Sequence, residues 1–126
     1  MKSAAIKSGP GLLALSAVTL ATNDMAGALR FYEALGFALT TGEASDTFCS
    51  FALGNSFLNL IAEAHGSVGC WGRVIIHVTD VDAMYQKALD AGLAPMFEPR
   101  DATWGERYFH IKDPDGHELS FARPLP

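Results

Sequence analysis

The chain has 126 residues, 49% of them hydrophobic and 18% charged, with a formal net charge of −5 at pH 7. That length suits one domain with a real hydrophobic core, residues 1–126, and the composition excludes a disordered chain. The acidic balance argues against a nucleic-acid partner, which would want a basic patch, and suits a neutral or cationic small ligand.

At the N-terminus, Lys2 and Lys7 precede the apolar run "GLLALSAVTLA", which imitates the charged and hydrophobic regions of a signal peptide. Gly9-Pro10-Gly11 interrupts that pattern, and "AVTLATND" is needed as the first strand of a repeat, so the segment reads as structure. No apolar stretch is long enough to span a membrane. Cys49 and Cys70 form neither a disulfide framework nor a metal-spaced pair, so a reducing cytoplasm is the expected setting.

"AVTLATNDMAGALRFYEALGF", from Ala17, aligns without a gap on "RVIIHVTDVDAMYQKALDAGL", from Arg73. Each copy opens with a strand of alternating polarity; Val74 and Ile76 share one face, Arg73 and His77 the other. Asp24 and Asp80 supply N-cap chemistry. The helices that follow space their apolar residues at three and four: Met25, Ala28, Leu29 and Tyr32 in the first, Val81, Met84, Tyr85, Ala88 and Leu89 in the second. Gly36 and Gly92 stand where a left-handed helix cap wants glycine. Three strands are expected after each helix: "FALTT", "TFCSFALG" and "SFLNLIAE", then "APMFEPR", "ERYFHIK" and "HELSFAR". Turns at Gly54-Asn55 and Asp113-Pro114-Asp115-Gly116 close the hairpins. The fold class is α+β, built as two βαβββ modules of roughly 13–64 and 70–124.

The duplicated pattern, the helix end "FYEALGF" and the hairpin "WGERYFHIKDPDGHELSF" resemble the vicinal oxygen chelate superfamily of glyoxalases, bleomycin-resistance proteins and extradiol dioxygenases. The resemblance implies an incomplete barrel with helices outside and a pocket within, in chains that commonly pair as homodimers. It also implies, for the metal enzymes, a ligand near the start of each module's first strand and a glutamate on the last strand. Ala17, Arg73 and Ser120 occupy those places here, with Asn59 at the matching place in the first hairpin. Alanine has no donor, arginine is a cation, and serine and asparagine are poor ligands, so no metal and no cofactor are expected. A relocated metal would need His77, His110 and Glu118 to converge.

Alternation places Tyr108, His110, Glu118 and Ser120 on one face, opposite the apolar Phe109, Ile111, Leu119 and Phe121. Phe48, Ser50 and Asn59 face inward in the first hairpin. Arg73 can clamp an anionic group or pair with Glu106 or Glu118, and His110 can recognise a ligand or act as a general base. Trp71 and Trp104 each precede a strand, where an indole can stack on a flat or cationic ligand or pack in a dimer cleft. Glu98, Asp101 and Glu106 cluster around Trp104 in sequence, as an acidic rim or equally as ordinary loop charges, whereas His65 and His117 read as solvated loop or turn residues.

The hairpin is most similar to the bleomycin-resistance branch, which implies a homodimeric binder of a cationic or aromatic drug without chemistry. The candidate ligand-binding residues are Phe48, Asn59, Trp71, Arg73, His77, Trp104, Tyr108, His110 and Ser120. The alternative is a lyase, isomerase or dioxygenase of the superfamily, using a relocated metal or His110 as base.

Overall fold

The computed structural model describes residues 10–126; Lys2 and Lys7 of the signal-like run lie outside them. The first module comprises β1 (Ala17–Thr22), α1 (Met25–Ala34), β2 (Ala38–Thr41), β3 (Phe48–Leu53) and β4 (Ser56–Ala62). The second comprises β5 (Arg73–His77), α2 (Val81–Asp90), β6 (Arg100–Asp101), β7 (Glu106–Lys112) and β8 (Glu118–Pro124). Each module makes a four-stranded mixed sheet, ordered β1-β4-β3-β2 and β5-β8-β7-β6. The first strand of each runs parallel to the last. The two βαβββ modules are those expected, and their sheets do not close on each other.

Local chemistry accounts for the boundaries. The Asp24 carboxylate accepts the Gly27 N–H and Asp80 accepts that of Ala83, so each helix starts on a cap. Gly36 (φ 93°) and Gly92 (φ 78°) stop the helices in a conformation that penalises any side chain. Two expectations fail. "APMFEPR" is not a strand before Arg100, because Pro95 and Pro99 have no N–H to give a ladder; only Met96 donates, to the His110 carbonyl. Leu89 is exposed, since α2 buries only Val81 and Ala88 against its sheet.

One face of each sheet is covered by the core; the other carries no helix, although Ser50, Ser120 and Ala122 on it are buried among their neighbours. Phe51, Leu58 and Leu60 of the first sheet are fully buried, as are Phe109, Leu119 and Phe121 of the second. Phe37 touches the rings of Phe51 and Phe121, at 5.8 and 6.3 Å between centroids, so a single core spans both modules. The polar centre of this junction is the buried Asp113. It accepts the Tyr32 hydroxyl at 2.7 Å and, on its other oxygen, the N–H groups of His117 (2.9 Å) and Asp115 (3.0 Å). Burial pushes the Asp113 carboxyl upward, and these donors offset part of that rise.

The same hairpin turn grips the first module twice more. His117, expected in solvent, is only 5% exposed. Its Nδ1 accepts the Trp71 indole N–H at 3.0 Å, which places its proton on Nε2, donating to the Ala21 carbonyl at 2.9 Å. Asp115 accepts the Asn23 N–H and His65 Nε2, while His65 Nδ1 reaches the Gly66 carbonyl at 2.6 Å. His65 is thus not a free loop residue. Both its nitrogens meet acceptors, an arrangement only the imidazolium satisfies in full.

Tyr32→Phe should lower stability by about 1.5–3 kcal/mol, the cost of deleting a hydrogen bond to a buried charged group, read from urea unfolding. The Gly66 carbonyl and then Asp115 raise His65 above its ordinary value of 6.5. The stability His65 contributes is therefore complete below 6.5 and is lost as pH rises through the folded value. A urea-midpoint series across that window should fall for the unmodified chain and stay flatter for His65→Gln.

Candidate functional site

The helix-free face of the second sheet carries most of the polar side chains singled out from the sequence. Alternation presents Arg73, Ile75 and His77 from β5, and register sets them beside Glu118, Ser120 and Ala122 of β8. Across the hairpin, Lys112, His110 and Tyr108 oppose those same three residues of β8. Glu118 is the hub: its Oε2 accepts Arg73 Nε at 2.5 Å and lies 3.3 Å from His110 Nδ1. Glu106 is a second anchor, meeting His77 Nε2 at 2.9 Å and accepting the Trp104 indole N–H at 3.1 Å. These contacts hold Glu106 below its usual range, His77 first and Trp104 second.

A ladder of rings runs along this face. Trp104 lies 5.5 Å from Tyr108, Tyr108 lies 5.1 Å from His110, and Phe97 touches both Tyr108 and His110. The Arg100 guanidinium sits over Phe97, 3.6 Å from its centroid. Phe97 and Arg100 went unrecognised in the sequence because a strand reading of "APMFEPR" set them in a ladder. The prolines flanking Phe97 were the available signal that it stands in irregular chain. Of the acids near Trp104, Glu106 accepts its indole N–H, whereas Asp101 bonds Arg107 at 2.9 Å, and Arg107 also binds Asp82 of α2.

The first sheet presents a different, uncharged face. Ser50 Oγ donates to Asn59 Oδ1 at 2.7 Å, and Asn59 Nδ2 donates to Thr19 Oγ1 at 3.2 Å, a chain across three strands flanked by exposed Phe48 and Phe57. Among the described residues, no hydrogen bond, ion pair or ring contact joins this face to that of the second sheet. The sequence candidates therefore divide. Phe48 and Asn59 lie on one face; Arg73, His77, Tyr108, His110 and Ser120 lie on the other, with Trp104 stacked at its edge. Between the unpaired edges of β1 and β5 runs an open groove of about 600 Å³, lined by Ala17, Phe57, Trp71, Arg73, Ile75 and His77 among others.

The donor set does not suit a divalent metal. Ala17, Arg73 and Ser120 supply no ligand, and among the described residues no three histidine, cysteine or acidic side chains are grouped to hold an ion. The relocated set is also divided: His77 is tied to Glu106, whereas His110 shares Glu118 with a guanidinium. That cation beside the carboxylate opposes a second positive charge.

The profile of the Glyoxalase/Bleomycin resistance protein/Dioxygenase superfamily matches residues 14–121, and the chain belongs to that superfamily. Solved structures with this fold include a glyoxalase/bleomycin resistance protein/dioxygenase from Nocardioides, 19% identical, with a TM-score of 0.75 over 94% of this chain and 87% of that one. A bleomycin resistance determinant encoded on transposon Tn5 is 20% identical, with a TM-score of 0.74 over 89% and 98%. The lactoylglutathione lyase of Agrobacterium tumefaciens is 19% identical, with a TM-score of 0.72 over 89% and 94%. At such identities the likeness is one of fold. An uncharacterized protein of Mycobacterium bovis is 46% identical over 54 residues, 41% of this chain. The match spans 36% of that relative's length.

Burial lowers the pKa of His110, Arg73 lowers it further, and Glu118 counters only in part. The imidazole is therefore neutral at pH 7. An NMR titration should place its midpoint below 6.5. Arg73→Met should raise that midpoint and Glu118→Gln should depress it, because each removes one of the opposing fields.

Proposed function

We propose that this is a metal-independent small-molecule-binding protein of the glyoxalase/bleomycin-resistance type, working in the cytoplasm as a homodimer. Its ligand is organic, aromatic or cationic, and antibiotic sequestration is one form that activity takes. The observation that carries this reading is the second sheet's open face. There the Arg73 guanidinium is paired with Glu118 and His77 is hydrogen-bonded to Glu106, beside the ring ladder from Trp104 to Phe97. Such a face offers stacking planes and hydrogen bonds rather than open coordination positions. Arg73, His77, Tyr108, His110 and Ser120 give the polar contacts, and Trp104 the stacking plane.

The helix-free faces support the homodimer. Each is open, and one chain cannot fold either over the other, because both sheets bury their opposite faces in the shared core. A second copy can oppose the neutral Ser50–Asn59–Thr19 face, with Phe48, to the charged one. The alternative is a lyase, isomerase or dioxygenase of the superfamily using His110 as general base, favoured by the lowered His110 pKa, which keeps the base form available at neutral pH.

Elemental analysis of protein purified without chelator should find no stoichiometric zinc, nickel, manganese or iron; finding one would overturn metal independence. Titration of tryptophan fluorescence with cationic and aromatic compounds should show saturable binding without product. Trp104→Leu should weaken a planar cation by about fivefold, corresponding to about 1 kcal/mol of cation–π attraction. A signal unmoved by every compound would count against the binder, and turnover abolished by His110→Gln would favour the enzyme.

A further inference from the structure

The charges on the helix-free face of the second sheet do not balance. β6 is two residues long, and alternation sends its side chains opposite ways. Asp101 bonds Arg107, which also reaches Asp82 of α2, so that pair lies on the helix side. Arg100, in register with Tyr108, goes to the open side, where its guanidinium sits over Phe97. The acids on that side are already engaged, Glu118 with Arg73 and His110, Glu106 with His77 and Trp104. Among the described residues Arg100 makes no ion pair and no side-chain hydrogen bond. With His110 neutral, three cations (Arg73, Arg100 and Lys112) stand beside two carboxylates, so the chain's net charge of −5 does not describe this face.

An arginine without an acid is commonplace at a surface, and Arg30 of α1 is another. Its company sets Arg100 apart. The ring beneath it holds the guanidinium plane, so less freedom is lost when the fork engages a ligand. Phe97 touches Tyr108 and His110 at 5.6 and 5.1 Å, and Trp104 continues the row, so flat surfaces lead away from the cation. The hydroxyls of Tyr108 and Ser120 also lack hydrogen-bond partners among the described residues. Ser120, opposite His110 in the hairpin, is only 4% exposed. The unspent groups are thus a planar cation and two hydroxyls beside a row of rings. A guanidinium fork matches the two oxygens of a carboxylate.

We propose that this face binds a flat aromatic carboxylate, with its carboxylate on Arg100 and its ring along Phe97, Tyr108 and Trp104. This rests on the binding reading above and selects, among the ligands named there, an aromatic anion over a cation. The test is calorimetry on the full chain with three compounds that share one ring system: naphthoate, naphthamide and naphthylmethylammonium. Naphthoate should bind about tenfold tighter than the amide, as charge-assisted bonds to a fork allow, and the ammonium should bind weakest. Arg100→Met should bring naphthoate down to the level of the amide, whose own affinity holds. Arg100→Lys should restore only part of the preference, because an ammonium lacks the fork. Arg30→Met should change nothing. Saturation with naphthoate, and not with the amide, should raise the His110 NMR midpoint, since the anion offsets the Arg100 field that helps to lower it. A preference for the ammonium, or for naphthoate after Arg100→Met, overturns the carboxylate site and leaves the binding face standing. Failure of all three compounds also overturns it, and the fluorescence panel then decides whether the binding reading survives.

Discussion

The fold turns on the buried carboxylate of Asp113. A charge removed from water is costly unless its lone pairs are met, and here the Tyr32 hydroxyl and two backbone N–H groups meet them. Tyr32 belongs to α1 of the first module and Asp113 to the second module's last hairpin, so this group ties the two repeats together. His117 and Asp115, in the same turn, add the bonds to Ala21 and Asn23 that pin the end of β1. With the junction held there, both sheets turn their apolar faces to one core. Their polar faces are left open.

That placement shapes the chemistry of the site. On the second sheet the Arg73 guanidinium lies beside Glu118, and the fields on His110 come from Arg73 two strands away and from Glu118 on the adjacent strand. A guanidinium standing at the head of β5 both neutralises Glu118 and repels any further cation at that spot. Beside these groups the aromatic ladder presents its ring planes along the same face. The neutral hydroxyl–amide chain on the first sheet suits a wall that shapes a cavity without adding charge.

Much of this was legible in the sequence, for identifiable reasons. The caps at Asp24 and Asp80, the glycine stops and the alternation along β7 and β8 are local signals, and each appears where expected. Alternation also grouped Tyr108, His110 and Ser120 correctly on one face. What escaped were contacts between distant segments. His117 has the composition of a turn residue, and its burial comes from Trp71 and Ala21, far away in the chain. The separation of Phe48 and Asn59 from the remaining candidates follows from the packing of one module on the other, which periodicity within a strand cannot encode. The "APMFEPR" error was of a different kind, since two prolines in seven residues already weighed against a ladder.

The central claim is that the helix-free face of the second sheet binds ligand without a metal. Chemical-shift mapping in chelator-treated protein tests it most directly, using whichever planar cationic or aromatic compound quenches tryptophan fluorescence. Saturable shifts are expected at His77, Tyr108, His110 and Ser120, with no change at Phe109 or Leu119 beyond those propagated through the strand. Shifts confined to the linker around residues 66–72, or binding that returns only when a divalent ion is restored, would contradict it.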